Sequence, residues 1–171
     1  MSALPRLLAA VALVLGLAIA PAAASAQAPP PDIADAAFLA AAAQSNRFEI
    51  ITGDLASKRG KHRLVRRLGR QFEKHHTMAL ADGAKVAAKL DIPVPGGVDA
   101  EQAAAIDKLR DLRGRRFDRA WLKAQLLAHE QAVGLHQRAA LSGDTADVRT
   151  LAVLALPVVS VHLGELLAVT G

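Results

Sequence analysis

Apolar positions recur every three or four residues along four long stretches of this chain, and that period is helical. Over residues 33–57 one stripe runs through Phe38, Ala42, Ser45, Glu49, Thr52 and Ala56. A more apolar stripe beside it holds Phe38, Ala41, Phe48, Ile51 and Leu55. Asp32 can cap this helix, and Gly60 marks a tight turn after it. From about Lys61 to Leu90 the inward stripe is Val65, Leu68, Phe72, His76, Ala79, Gly83, Val86 and Leu90. His75 falls about 100° from His76, at the edge of that face. The segment from Asp91 to Gly97 (DIPVPGG) breaks the pattern. Asp99 with Gln102 then predicts a capping box for a short helix to about Asp111, ended by Gly114. Residues 115–142 repeat at Leu122, Leu126, His129, Val133, His136 and Ala140, with Gly143 as the stop. Asp144 or Thr145 caps a last helix to about Val169, on Val148, Leu151, Ala155, Val158, His162 and Leu166. Pro157 should kink it and free the carbonyl of Val153.

Four helices of similar length, two tight turns and one long connection predict an all-α fold. The arrangement expected is an antiparallel four-helix bundle with a short extra helix between the second and third long helices. No internal repeat and no strand pattern is evident. In an up-down-up-down order the turns at Gly60 and Gly143 would share one end. His76 then lies 16 residues from its turn, His129 14 and His162 19. At ~1.5 Å rise per residue, the three histidines fall within roughly 8 Å in height. Glu49, 11 residues from the first turn, and Glu73, 13 from it and on the side of His76, lie close to that level.

The N-terminus changes the count of residues available for this fold. Arg6, the apolar run from Leu7 to Ala20 and the small-x-small site Ala24-Ser25-Ala26 read as a signal peptide, residues 1–26. The run is shorter than a membrane span requires. A mobile leader, 27–32, and one helical domain, 33–171, follow. The mature chain has 20 basic and 16 acidic residues, no cysteine and few aromatics. No second long apolar segment is read in it. Export to the periplasm is the expectation, with peripheral contact to the outer membrane as an option and no disulfides or lipidated cysteine.

Imidazoles from three helices with carboxylates nearby suit a divalent transition metal such as Zn, Fe, Mn or Cu. His76, His129 and His162, with Glu49 and Glu73, are the candidate ligands. A single inward histidine is more often a hydrogen-bonded core residue, so a buried His–carboxylate network that fixes helix register is the competing reading. His136 reads as a further core polar residue and His62 as solvated. Glu73-x-x-His76 is half of a di-iron carboxylate signature; the last helix carries the reverse order, His162-x-x-Glu165. Arg66, Arg67 and Arg70, and separately Arg115 and Arg116, form basic clusters that could contact an anionic envelope surface. No nucleic acid partner is expected, since aromatic residues do not interleave with the basic ones. No nucleophile or zincin motif is present, which argues against an enzyme.

Four segments together resemble one known family. They are AAFLAAAAQSNRFEIITGDLA, RQFEKHHTMA, GRRFDRAWLKAQLLAHEQAV and LALPVVSVHL. The chain is similar, from about Asp35 to Leu167, to the domain-of-unknown-function family 4142, whose members often carry an outer-membrane label. Gly114-x-x-Phe117-Asp118 and Leu156-Pro157 with His162 are the most distinctive elements. The resemblance implies an exported, ferritin-like helical bundle, with Glu49, His76, His129 and His162 at the family's polar positions. The family usually has Asp-His where this chain has His75-His76.

Overall fold

Five helices make up residues 34–170, the part of the chain that the computed structural model describes. The expected signal peptide, leader and Asp32 cap lie outside those residues. Helix α1 runs Asp35–Arg59, α2 Arg63–Lys89, α3 Ala100–Asp111, α4 Gly114–Ser142 and α5 Ala146–Thr170. There is no strand among the described residues. The predicted capping box forms: Asp99 Oδ1 accepts from Gln102 N at 2.8 Å and Gln102 Oε1 from Asp99 N at 3.1 Å. Helix α5 continues through Pro157 to Thr170. Contrary to the expectation of no second long apolar segment, α5 is apolar and long enough to cross a membrane by length and composition. Only 22% of its most apolar window is buried in the fold.

Helix α1 packs on α2 and α4, and α5 packs on α4 and α2. Three ties between α2 and α5 fix their relative direction. Gln71 donates to Glu165, His75 meets His162, and Lys89 pairs with Asp147. As one index rises the other falls, so the two helices are antiparallel.

The expected order of the helices is corrected by two buried aspartates. Asp118, near the start of α4, accepts from Lys61 N at 2.9 Å and His62 N at 2.8 Å, in the α1–α2 turn. Asp35, at the start of α1, accepts from Asp144 N at 2.8 Å and Thr145 N at 3.0 Å, in the α4–α5 turn. Each turn therefore sits beside the first residues of the other hairpin, and the two turns lie at opposite ends. The connection carrying the 12-residue α3 crosses from one end to the other. It is long enough to do so, and the backbone N–H groups of the turns require these acceptors.

A hidden repeat accompanies this exchange. Ala56, Gly60, Val65 and Arg66 in the first hairpin correspond to Ala139, Gly143, Val148 and Arg149 in the second. Each pair, like Asp35 and Asp118, is 83 positions apart (35 to 118, 60 to 143, 66 to 149). Arg66 donates to the carbonyls of Gly60 and Lys61, and Arg149 to those of Gly143 and Asp144. Neither glycine has a positive φ. Each is there for room: an added Cβ would lie 2.7 Å from Ala56 O or 2.8 Å from Ala139 O. Asp118→Asn keeps one acceptor and replaces the other with a donor, which should lower stability by about 1–2 kcal/mol. A urea midpoint unchanged from wild type would contradict that role.

Two apolar clusters occupy the two ends of the molecule. One gathers Phe72, Phe117 and Trp121 with Leu109 of α3; the other gathers Phe38, Leu39, Leu135 and Val148. Between them lies a polar layer.

Candidate metal centre

Helices α2, α4 and α5 each send one buried histidine into that layer. One ring nitrogen from each of His76, His129 and His162 lies within 4.8 Å of the other two. All three side chains are at most 3% exposed. The three histidines share one level, as their positions along the helices predict, even though the two turns lie at opposite ends. They lie near mid-length, and inverting a hairpin end for end leaves its middle in the middle.

Hydrogen bonds assign the ring nitrogens. His129 Nδ1 is 2.9 Å from the carbonyl of Gln125, which can only accept, so Nδ1 carries the proton and Nε2 the lone pair. His76 Nδ1 is 2.8 Å from Asn46 Oδ1, so its Nε2 also carries a lone pair. That Nε2 is buried without a hydrogen-bond partner. His162 Nδ1 lies 3.2 Å from His129 Nε2, and its Nε2 lies 2.9 Å from His75 Nδ1. With no metal, His162 must donate from Nδ1 to His129 and accept at Nε2 from His75. His75, read from the sequence as an edge residue, thus extends the cluster toward the surface.

Neutral imidazole is the form this environment favours. Burial holds His76 well below the usual histidine value, and neighbouring histidines add to the effect. Burial lowers His129 to about 4, against the hydrogen bond to Gln125 O. Burial and the nearby His129 and His75 lower His162 to about 3. Phe72 backs the site, with its ring centroid 4.8 Å from His129 and 4.5 Å from His162. Metal ligation by histidine requires the unprotonated ring nitrogen that this environment favours.

The two glutamates stand differently. Glu49 is 1% exposed, and its Oε1 lies 3.8 Å from His129 Nδ1, the nitrogen facing away from the cluster. It therefore sits behind His129 and outside the converging set. Burial raises its pKa well above the usual carboxylate range. The Gln125 amide offsets this in part, although Gln125 Nε2 makes its hydrogen bond to Thr52 Oγ1. Both Glu49 oxygens are without a hydrogen-bond partner. Glu73 is half-buried with its backbone against Gly53, and it is not in the converging set. Glu165 is tied to Gln71 instead of the centre. His136 is buried edge-on to Phe38, and burial lowers it to about 4. His62 is exposed and caps α2.

Asn46, Thr52, Gln125 and Trp121 complete the polar layer and carried no sequence signal as site residues. Thr52 binds two of these: its carbonyl accepts from Trp121 Nε1 at 3.0 Å and its hydroxyl from Gln125. Their helical spacing from Glu49 and His129 is the clue that could have found them.

The comparisons agree with this architecture. The profile of a family described as a domain of unknown function, DUF4142, matches residues 20–169. No curated protein matches the sequence. Two solved structures share the fold at 15% identity. One is a DUF305 fragment from Deinococcus radiodurans, with a TM-score of 0.69 over 79% of this chain and 93% of that one. The other is CopM in its Cu(II)-bound form, with a TM-score of 0.67 over 80% and 95%.

Proposed function

This chain belongs to the DUF4142 family, and we propose that it binds one divalent transition-metal ion through His76 Nε2, His129 Nε2 and His162 Nδ1. The observation that carries this reading is the convergence of three buried, neutral imidazoles, one with an orphaned lone pair. Nitrogens about 2.0–2.1 Å from one metal are roughly 3.3 Å apart in tetrahedral geometry. The 3.2 Å separation of His129 and His162 fits that value, and His76 needs a small swing inward. An all-imidazole set favours Cu(II) or Zn over Mn, which prefers oxygen. His162 would then hold its proton on Nε2 and donate to His75. The bound cation would draw Glu49 towards its ionised form, which would then supply a nearby negative charge. The Cu(II)-bound state of a structure with the same fold is consistent with the assignment.

The same reading includes a ferritin-like, antiparallel four-helix bundle with one long crossover. It also includes export to the periplasm and a role in metal handling or envelope stress. Untagged protein titrated with Cu(II) or Zn should bind about one ion per chain and gain thermal stability. Substoichiometric binding with an unchanged melting temperature would refute the proposal.

A second reading is supported by the charge distribution. Because Asp118 holds the α1–α2 turn, exposed Arg67 and Arg70 and exposed Arg115 and Arg116 gather at one end of the molecule. Arg66 is committed to the turn carbonyls. In this reading that end contacts an anionic envelope surface, and the histidines fix helix register.

A further inference from the structure

The sequence stripes of α2 and α5 run inward along their whole length, yet half of each stripe is not covered. Val65, Leu68, Phe72 and His76 are buried, but Ala79, Gly83 and Val86 are only half-buried. On α5, Leu151 and Ala155 are half-buried and Val158 is 42% exposed. The two helices are tied at His75–His162 and at Lys89–Asp147, and they part between those points. A cavity of about 660 Å³ fills the gap. An added Cβ on Gly83 would meet nothing within 4 Å. The volume lies in the range of roughly 300–1,000 Å³ typical of small-molecule sites.

The walls select the class of ligand. They are aliphatic, with no Phe or Trp, so they suit a flexible chain better than a planar ring. The deep polar residues, His76 and His136, are already engaged, by Asn46 and by the Phe38 ring. Arg47 is the exception. It lines the cavity, its Nε donates to Pro95 O at 3.4 Å, and it forms no ion pair among the described residues. The rim acids Asp82 and Asp147 are already paired with Lys85 and Lys89.

We propose that this cavity binds a single-chain aliphatic carboxylate, with its chain between α2 and α5 and its head on the Arg47 guanidinium. Apolar burial would hold the chain, and a charge-assisted hydrogen bond would orient the head. His76 is shared with the converging imidazoles as part of the inner wall, but Arg47, Gly83 and Ala155, which would hold the ligand, stand apart from them, so the site does not depend on the metal reading.

Laurate below its micelle-forming concentration, titrated calorimetrically into the full mature chain, tests the assignment. Saturable binding near one per chain is expected. Gly83→Leu projects a side chain into space that is open around its Cβ, and Arg47→Gln removes the charge; each should weaken binding by about tenfold or more. His129→Ala should leave laurate binding intact, which separates this site from the metal proposal. Ala155→Phe is a second filling variant should Gly83→Leu misfold. No saturable binding, or binding unchanged in the folded Arg47 and filling variants, would overturn the assignment. So would a dimer in sedimentation that buries the gap against a second copy and excludes laurate.

Discussion

Acidification from pH 6.5 towards 4 is expected to unfold the metal-free protein over a narrow range. Four histidines are buried in the neutral form: His76, His129, His136 and His162. Their folded values lie below the ordinary value of 6.5, at about 4 for His129 and His136 and about 3 for His162. Between the folded and ordinary values the unfolded chain binds protons that the folded chain does not. Stability is therefore complete above pH 6.5 and falls as the pH drops through the window. Each such group contributes a slope of up to about 1.4 kcal/mol per pH unit. Glu49 acts in the opposite sense, because its raised value favours the folded state as pH falls towards 4.5. One opposing group does not cancel four. Over two pH units the loss is comparable to the ~5–15 kcal/mol that typically holds a domain together. Urea midpoints followed by circular dichroism from pH 7.5 to 4.5 would show it, and a flat profile would rule it out. Bound metal should move the transition to lower pH, because ligation holds the imidazoles unprotonated.

Glu49→Gln should stabilise the metal-free protein and weaken its metal binding. At pH 7 the unfolded chain ionises Glu49 freely, whereas the folded site, which disfavours the charge, gives it no hydrogen bond. Glutamine has the same shape and no charge to lose. Gln125 Oε1, buried without a partner, is a ready acceptor for the new amide. Removing one unsatisfied buried group and serving another should add about 1–3 kcal/mol at pH 7. The gain should vanish below about pH 4.5, where the unfolded acid is protonated as well. The loaded protein should change the other way. Losing the carboxylate charge behind His129, which acts through space and not through a hydrogen bond, should lower affinity by about tenfold. A variant less stable at neutral pH with unaltered metal affinity would show that Glu49 has neither role.

What the sequence made legible was whatever depends on neighbours within a few turns. The helices, the Asp99–Gln102 cap and the inward faces of His76, His129 and His162 are local. Their convergence could be read because mid-helix positions keep their height under either chain order. The order itself could not be read, because it is set by Asp35 with Asp144 and Asp118 with Lys61, contacts 109 and 57 residues apart. Periodicity also mistook the phase of α4, whose buried line is Phe117, Trp121, Gln125, His129 and His136. There Gln125 turns inward for the Thr52 hydroxyl, a partner no hydrophobic pattern announces. Glu73 passed the same spacing test as His76, but α2 turns its backbone to the close approach with Gly53.

The exchange of caps between hairpins makes each half of the chain the keeper of the other. A fragment cut in the α2–α4 connection would carry a turn whose amides have no acceptor and an aspartate with nothing to close. Neither fragment is a smaller version of the whole. The unit that folds, and the unit a protease must destroy, is the pair. The histidine centre is shared in the same way, with His76 from one hairpin and His129 and His162 from the other, so it should assemble only when both halves have met.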